Sequence, residues 1–368
     1  MKLRRLQAVM LKELRQMRRD RITLAMIVAM PVMQLLLFGY AINTTLRDLP
    51  VGIVDQAGTS ASRALVMDMV ATTVVRPARF EQAPQQAMDA IRRGEYGIGI
   101  VVPPDFERRR AEGREQVQVL VDASDTATQA AAAQLAQVPV EDAPRTSSPA
   151  TRALSQAPIS VVAFYNPERR SAVSIVPGLI GVILTMTMVL FTGVSIVRER
   201  ERGNMELLIA TPVSSTELMV GKVLPYAAIG LVQTTMVLGL GMWLFDVPLN
   251  GSVLDVYLAA VLLILANLTL GLLISTRARS QFQAMQITFF VFLPSILLSG
   301  FMFPFAGMPV AVQWLAEVLP LTHFLRLVRG IMLRGASLWE LWPDVLALVA
   351  FTTVMMAAAI LRFRKRLD

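Results

Sequence analysis

The hydrophobic positions of this chain form six long apolar runs separated by polar segments of unequal length. The first run, Ile22–Ile42, has 21 residues and no charged side chain, which is long enough for a helix to cross ~30 Å of hydrocarbon. A cleaved signal peptide is the alternative for this run, but its length and the internal Pro31 favour an uncleaved anchor. Further runs cover about 172–197, 223–245, 253–276, 282–303 and 343–361. The pattern predicts a polytopic α-helical membrane protein with six transmembrane helices.

Residues 1–21 combine an apolar stripe with a strongly basic composition. Eight Lys or Arg side chains stand against Glu13 and Asp20. Apolar residues recur among them at spacings of three and four, at Leu3, Leu6, Met10, Leu14 and Met17. This spacing predicts a cytoplasmic amphipathic helix lying on an anionic leaflet. A basic flank that only sets the topology is the alternative, and the two interpretations are compatible.

The distribution of charge predicts the orientation of the spans. The basic clusters at Arg198–Arg202, at Arg277 with Arg279, and in the tail 362–368 all fall on the same side as the basic N-terminus. The positive-inside rule assigns that side to the cytoplasm, together with both termini. Residues 43–170 carry 14 basic and 15 acidic side chains, an excess of one acid, and are expected on the outer side of the membrane.

Composition supports the membrane class and excludes other functions. Hydrophobic residues make up 54% of the chain, and its formal charge is +8. Because the basic excess concentrates at the predicted inner face, a membrane surface explains it better than nucleic acid does. Cysteine is absent, which excludes disulfides and thiolate metal sites.

Residues 43–170 alternate strand-like and helix-like segments, which predicts an α/β extracytoplasmic domain inserted between helices 1 and 2. The segments LPVGIVD, YGIGIVVP and QVQVLVD are strand-like. A helix is expected after Thr59 or Ser60, either of which suits an N-cap, and another from Pro84 to Arg93. The Pro- and Ser-rich stretch 140–152 is expected to be a flexible loop.

This domain shows no catalytic constellation and no metal-binding pattern. Its Asp residues at strand ends or helix starts suit helix capping or solvation better than metal ligation; they are Asp55, Asp105, Asp122 and Asp125. The chain has a single histidine, His323, so a histidine-based metal site or a Ser-His-Asp triad has little support.

Polar and small residues within the apolar runs suggest how the helices pack. Most of the polar ones are expected to form helix–helix hydrogen bonds, and glycines at 178, 181, 230, 239 and 271 to allow close helix approach. Pro177 and Pro294 are expected to break or kink their spans, and Pro294–Pro304 to end the fifth span early. A subset of the polar and methionine residues are candidates for a substrate path; these are Met186, Thr187, Gln233, Met236, Asn267, Met285 and Gln286.

Residues 304–342 are too apolar for a plain external loop and contain three arginines. We expect one or two short helices that dip into the outer interface or lie on it, since irregular backbone at that depth must be buried or face water. Arg326, Arg329 and Arg334 are expected either to meet lipid phosphates or to pair with Glu317 and Glu340, and pairing is favoured.

The segment RERERGNMELLIATPVSSTELMVGK, from Arg198 to Lys222, joins two spans. Alternating charges are followed by the amphipathic segment NMELLIA, which is expected to be helical. Thr211 and Pro212 should end this helix, because proline disfavours helical geometry in the residue before it. Ser214 or Ser215 suits the N-cap of the next helix. A short amphipathic helix held between two spans is suited to a groove on a soluble partner, and a mere connection between spans is the alternative.

This segment resembles the cytoplasmic loop of ABC-2 type transporter permeases. Three other places agree with that family in order: KELRQMRRDRITLAMIVAMP, NPERRSAVSIVPGLIGVIL, and SGFMFPFAGMP followed by LPLTHFLRLVRGIMLRG. The resemblance covers the whole chain. It is strongest to the bacterial subgroup with a large domain between the first two spans, which is linked with export of drugs or small amphiphiles. This resemblance implies a location in a bacterial inner membrane, with residues 43–170 on the periplasmic side.

The resemblance implies a membrane (permease) subunit of an ABC exporter. A coupling helix at about 199–215 would dock on a separate ABC ATPase subunit, and ATP and Mg would be bound there, because no GxxxxGK[ST] loop occurs in this chain. The partners expected are that ATPase, a second copy or a homologous permease, membrane lipids and an optional periplasmic membrane-fusion adaptor. The residues expected at the ATPase interface are Glu199, Glu201, Gly203, Met205, Glu206, Leu207, Leu208, Thr211 and Pro212.

Two alternatives remain. A non-transporting mechanotransmission subunit would relay ATPase motion to a periplasmic partner, although such proteins usually have four spans. An intramembrane enzyme would need polar catalytic groups at membrane depth, and the sequence shows no such set.

Overall fold

The computed structural model describes residues 48–137, 159–168, 170–201, 215–303 and 305–362. Four predictions from the sequence lie wholly or mostly outside these residues. They are the amphipathic helix at 1–21, the first span at Ile22–Ile42, the loop at 140–152, and most of the coupling segment.

A five-stranded sheet with helices on both faces precedes the long helices. Its strand order is β2-β1-β3-β4-β5, and only the β3–β4 pair is antiparallel. This confirms an α/β region before the long apolar helices. Its elements are β1 (Leu49–Asp55), α1 (Ser60–Ala71), β2 (Val75–Phe80), α2 (Pro84–Arg93), β3 (Ile98–Val102), α3 (Phe106–Ala111), β4 (Val117–Asp122), α4 (Thr126–Leu135) and β5 (Ile159–Phe164).

The sheet is buried on both faces because its central strands are apolar at nearly every position. All five residues of β3 are buried. One face packs against α1, α3 and α4 through side chains such as Met69, Phe106 and Leu135. The other face packs against α2 through Ala87 and Ile91. Continuous apolar strands are typical of sheets covered on both sides.

Local capping explains where two of the domain helices begin and end. The Thr59 side chain accepts from the Ser62 backbone N–H at 3.0 Å, and the Ser62 side chain accepts from the Thr59 N–H at 3.0 Å. Thr59 is thus the predicted N-cap of α1. Helix α2 begins at Pro84 and ends at Gly94, whose φ of 75° is the left-handed conformation that glycine tolerates.

Five of the remaining helices are long and apolar enough to cross a membrane by length and composition. They match the second to sixth predicted spans. Their bounds are α5 (Ser171–Glu201), α6 (Ser215–Phe245), α7 (Val253–Ser275), α8 (Gln281–Leu298) and α11 (Trp342–Arg362). We call these five helices, together with the segment between α8 and α11, the membrane half. Helix α7 packs against both α5 and α11 and forms the centre of the membrane half.

The two proline predictions have different outcomes. Pro177 lies inside α5, which has 31 residues and continues past it, so the span is not broken there, and the kink stays a prediction. Pro294 lies inside α8, and the helix ends at Leu298. The fifth span is therefore shorter than the apolar run to 303, as expected.

Two short helices occupy the segment predicted to be interfacial. After a single 3-10 turn at Phe305–Gly307 come α9 (Val310–Glu317) and α10 (Pro320–Met332). Helix α10 packs against α5, α7 and α11, and its residues from Pro320 to Leu325 are all buried. The prediction of short helices is confirmed, and α10 lies within the bundle rather than on its surface.

The membrane half has two chemically different ends. The domain end is where β5 leads into α5 and where α6 ends near the start of α7. Exposed tryptophans lie on the segments that meet there; they are Trp243, Trp314, Trp339 and Trp342. At the basic end, α5 finishes, α6 begins, and the α7–α8 loop carries Arg277 and Arg279. Exposed tryptophans favour membrane–water interfaces.

The connection from the sheet to α5 is short and internally bonded. Residues 165–170 separate β5 from α5. The Asn166 side chain donates to the Arg170 carbonyl and accepts from the Arg170 backbone N–H, both at 3.0 Å. Tyr165 has a φ of 68°, a conformation uncommon for a non-glycine residue. These bonds fix the direction in which the chain leaves the domain.

Glycines allow the central helices to approach closely, with one exception. A Cβ on Gly271 of α7 would lie 2.8 Å from the Val189 carbonyl oxygen of α5, and one on Gly230 of α6 would lie 2.8 Å from Ile264. Gly178 and Gly181 face Phe301 and Phe324. The prediction for Gly239 is wrong, because the space around it is open.

We expect Gly271→Ala to lower the thermal unfolding midpoint of the full chain in detergent, whereas Gly239→Ala should not. The new methyl group at 271 meets backbone, which cannot rotate away, and overpacking of this kind costs about 1–3 kcal/mol. Equal midpoints for the two variants would contradict this account of the α5–α7 contact.

Candidate functional site

The basic end joins the last turn of α5 to the α7–α8 connection. The Glu201 carboxylate accepts from the Gln281 backbone N–H at 3.0 Å and from the Gln281 side chain at 2.6 Å. Arg198 donates to the Gln281 side-chain oxygen at 3.2 Å, and Arg200 donates to the Ala278 carbonyl at 3.3 Å. The end of α5, which directly precedes the predicted coupling segment, is thereby bonded to the α7–α8 loop and to the start of α8.

Only two of the predicted ATPase-contact residues fall within the described ranges. Glu199 and Glu201 lie in the final turn of α5, so the coupling helix does not begin at Glu199 as predicted. The other predicted contacts lie outside the described residues; they are Gly203, Met205, Glu206, Leu207, Leu208, Thr211 and Pro212.

The candidate substrate-path residues do not form one continuous group. Thr187 of α5 and Gln233 of α6 are in contact, with 2.9 Å between Oγ1 and Oε1. Asn267 is fully buried in α7 and donates to Thr185 at 3.1 Å. The others are exposed or half-buried at separate positions on three helices, namely Met186 on α5, Met236 on α6, and Met285 and Gln286 on α8.

The polar residues within the spans serve two purposes. Thr185 with Asn267, Thr187 with Gln233, and Thr235 with Tyr257 (2.7 Å between hydroxyls) join neighbouring helices as predicted. Four hydroxyls instead donate to a carbonyl of their own helix, and these residues are not among the helix–helix bonds expected of most polar residues in the spans; they are Thr234, Thr269, Thr288 and Ser295.

His323 is the centre of a polar cluster at the domain end. Its Nδ1 lies 2.7 Å from an Asp344 carboxylate oxygen, and its Nε2 lies 2.8 Å from the Glu317 carbonyl. Both ring nitrogens face acceptors, which favours the doubly protonated imidazolium. The Arg326 guanidinium donates twice to the Glu317 carboxylate, at 3.0 and 2.5 Å. The predicted pairing with Glu317 is therefore confirmed.

An ion pair that the sequence did not predict joins the α/β domain to the membrane half. Arg334 Nη1 lies 3.3 Å from Asp122 Oδ2, and the two side chains are only 10% and 7% exposed. Asp122 also accepts from the backbone and hydroxyl of Ser124. Asp122 therefore forms a long-range ion pair in addition to the local bonds expected of it. Because 212 residues separate the partners, no local pattern indicates the pair.

Two further contacts cross the same junction nearer to solvent. Arg92 of α2 pairs with Glu340 at 2.6 Å, so the prediction that Glu340 pairs with an arginine of 326–334 is wrong. Arg170 donates to the carbonyls of Phe245 and Asp246 at 3.5 and 3.2 Å. The domain is thus held at several points on the membrane half.

The remaining candidate carboxylates of the domain have local partners. Asp55 accepts from the backbone N–H groups of Ala57 and Gly58 and from Ser62 Oγ. Asp105 pairs with Arg109 at 2.8 Å; desolvation raises its pKa, but the hydrogen bond and charge of Arg109 outweigh that effect and hold the pKa low. Within the described ranges, no group of three or more metal-ligating side chains occurs.

Tyr96 is buried beside the sheet at the same junction. Desolvation, together with the charges of Glu81 and Glu95, raises its pKa to about 12. Its ring lies against Gly52 of β1, where a Cβ would come within 2.3 Å of the ring carbon and the hydroxyl. Its buried hydroxyl has no hydrogen-bond partner among the residues that the structure describes.

The long apolar helices and the absence of a nucleotide-binding loop in the sequence are features of a permease subunit of an ABC transporter. The chain belongs to the ABC-2 family transporter proteins, whose family model matches residues 21–361. This membership covers the whole described membrane half and the α/β region. The chain is accordingly a membrane subunit and not an enzyme.

Curated relatives match over nearly their full length. The chain is 30% identical to "Probable multidrug ABC transporter permease YbhS" of Escherichia coli (strain K12), over 99% of this chain and 98% of that protein. It is 27% identical to "Probable multidrug ABC transporter permease YbhR" of the same strain, over 98% and 99%. It is 29% identical to "Inner membrane transport permease YhhJ", over 96% of each.

We expect Asp122→Asn to destabilise the full chain far more than Arg92→Gln. The first change leaves a buried Arg334 without its carboxylate, which typically costs about 3–5 kcal/mol. The second breaks a partly exposed pair worth about 0–1 kcal/mol. Thermal unfolding and trypsin sensitivity of the two variants in detergent test this difference. Similar shifts in the unfolding midpoint of both variants would show that the buried Asp122–Arg334 pair is no more important for stability than the partly exposed Arg92–Glu340 pair.

Proposed function

We propose that this chain is the permease subunit of an exporter that moves a small amphiphile, drug or lipid-like substrate out across the bacterial inner membrane. A separate ABC ATPase would supply the energy, with ATP and Mg bound on that partner. Family membership and two relatives named as probable multidrug permeases support this proposal. Within the described spans, charged side chains occur only near the helix ends, which argues against a proton relay.

The basic end of the bundle is proposed to face the cytoplasm. Arg198, Arg200, Arg277 and Arg279 concentrate there, in agreement with the positive-inside rule. Both termini would be cytoplasmic in a chain with six spans, and the α/β domain would lie in the periplasm. The four exposed tryptophans of the domain end would then mark the outer interface.

The observation that best supports ATPase coupling is the Glu201–Gln281 network. The segment 202–214 connects α5 to α6, and the α5 end is hydrogen-bonded to the first turn of α8. A push on this segment would therefore reach three long helices at once. The proposed coupling contacts are the interface residues predicted from the sequence.

A second permease would complete the membrane assembly, either as another copy or as a homologous chain. Of the most apolar 18 residues in each helix, only 22% are buried in α6 and 11% in α11. Most of the surface of these two helices is therefore left for lipid or a partner. The Thr187–Gln233 pair lies between α5 and α6, and we propose it as the part of the substrate path nearest to such an interface. A membrane-fusion adaptor on the α/β domain is a further proposal.

Mechanotransmission without transport is the second candidate function. The contacts of Asp122, Arg92 and Arg170 across the junction favour it, because they would carry helix motion into the α/β domain. Transport remains the preferred proposal because six spans and two short helices at the domain end suit an enclosed path.

We expect the double variant Met205→Ala/Leu208→Ala to bind the cognate ATPase at least about tenfold more weakly, as expected for loss of two apolar interface contacts. Binding is measured with purified full-length chains in nanodiscs, and ATP-dependent efflux is measured in vesicles. Met67→Ala, at an exposed methionine of α1, is the matched control.

Three results would count against the proposal. Robust ATP turnover by this chain alone would exclude a separate motor. Unchanged ATPase binding by the double variant would exclude the proposed docking segment. Tight ATPase coupling without efflux of any amphiphile would favour the mechanotransmission alternative.

A further inference from the structure

A cavity of about 220 Å³ lies where the α/β domain meets the membrane half. The domain contributes the turn at 94–98 and the start of α4, and the membrane half contributes Ser299, Gly300 and part of α10. Pockets for drug-sized molecules usually occupy ~300–1,000 Å³. The size of this cavity therefore suits a headgroup better than a whole drug.

Most of the charges that line the cavity are already matched by protein partners. Glu95 accepts from Arg79 at 2.8 Å and from Arg93 at 2.7 Å. Asp122 is paired with Arg334, and Arg326 is paired with Glu317. The Asp125 carboxylate accepts from the Thr128 hydroxyl at 3.1 Å.

Arg329 is the exception among these charged groups. Its Nη1 donates to the Gly300 carbonyl at 3.2 Å, and its buried Nε has no partner among the described residues. No carboxylate of the described residues lies within ion-pair distance of it, and Asp122 and Asp125 act on it only from farther away. A guanidinium taken out of water without a counter-charge is costly.

Two other buried donors belong to side chains that line the same cavity. Arg334 Nε and the Tyr96 hydroxyl are both without partners among the described residues. Tyr96 is only 4% exposed. Because these two atoms and Arg329 Nε have almost no accessible surface, they mark incomplete hydrogen bonding at the junction rather than donors that a molecule in the cavity could reach.

The rest of the wall is apolar. Leu49 and Ile98 from the sheet and Phe305 and Leu325 from the membrane half line the cavity beside the arginines. Charged donors next to an apolar wall match a molecule with an anionic head and a hydrocarbon tail. Arginine is the side chain best suited to phosphate oxygens in such a setting.

We propose that this cavity binds a phosphate-type oxyanion, with Arg329 as its principal ligand. The anion is either the headgroup of an amphiphile or free inorganic phosphate. The site does not depend on the proposed export function, since its occupancy requires neither the ATPase nor transport.

The test measures binding to the purified full chain in dodecyl maltoside by the shift in thermal unfolding midpoint. Dodecyl phosphate, inorganic phosphate and dodecyltrimethylammonium are the three probes. A shift with dodecyl phosphate alone identifies an amphiphile headgroup, and a shift with inorganic phosphate as well identifies a free-anion site. The cationic probe should give no shift.

Arg329→Gln should bind dodecyl phosphate about tenfold more weakly, the loss expected for one charged hydrogen bond. Arg329→Lys should retain part of the affinity. Arg92→Gln is the matched control, since Arg92 joins the same two halves but does not line the cavity. If Arg329→Gln does not fold, Arg329→Lys alone, which keeps the charge but loses the guanidinium group, should still weaken binding.

The proposal is overturned if neither phosphate probe shifts the midpoint of the wild-type chain. It is also overturned if Arg329→Gln and Arg329→Lys bind as tightly as the wild type, or if Arg92→Gln weakens binding as much as Arg329→Gln. None of these results bears on ATPase docking at 202–214, so failure here leaves the proposed function intact.

Discussion

Hydrocarbon offers no hydrogen-bond partner to a peptide group, and the architecture of the membrane half follows from that constraint. The chain meets it with long helices whose polar side chains either bond back to their own carbonyls or, like Asn267 with Thr185, bond to a neighbour. Contact between α5 and α7 then depends on the absence of a side chain at Gly271. Dispersion and close packing hold such helices together, since lipid removes the hydrophobic drive between them.

The junction with the α/β domain follows a different principle. There the structure buries opposite charges, Asp122 against Arg334, and places the more exposed Arg92–Glu340 pair nearby. Buried ion pairs contribute more to geometric specificity than to net stability in several proteins. We infer that this junction fixes how the domain sits on the helices, and that Arg329 brings a charge which the described protein residues leave unmatched.

Local patterns predicted much of the fold because they reflect local physics. Apolar runs predicted five described spans, and the cap at Thr59 and the helix from Pro84 each depend on neighbouring residues. Strand β5 was not recognised, because its burial depends on pairing with β4. Partners distant in sequence were also missed: Asp122 and Arg334 are brought together only by the complete fold. The predicted ATPase contacts and substrate path stay predictions.

Helix α5 has a further consequence for how the two ends of the molecule communicate. Its 31 residues span about 46 Å at about 1.5 Å per residue. One end of α5 adjoins the segment proposed to meet the ATPase. The other end adjoins the six-residue link, residues 165–170, that connects it to β5. Asn166 and Arg170 stiffen that short link. A twist applied at the basic end of α5 would turn β5, the edge strand of the sheet, so motion of the helix bundle and motion of the α/β domain are mechanically coupled.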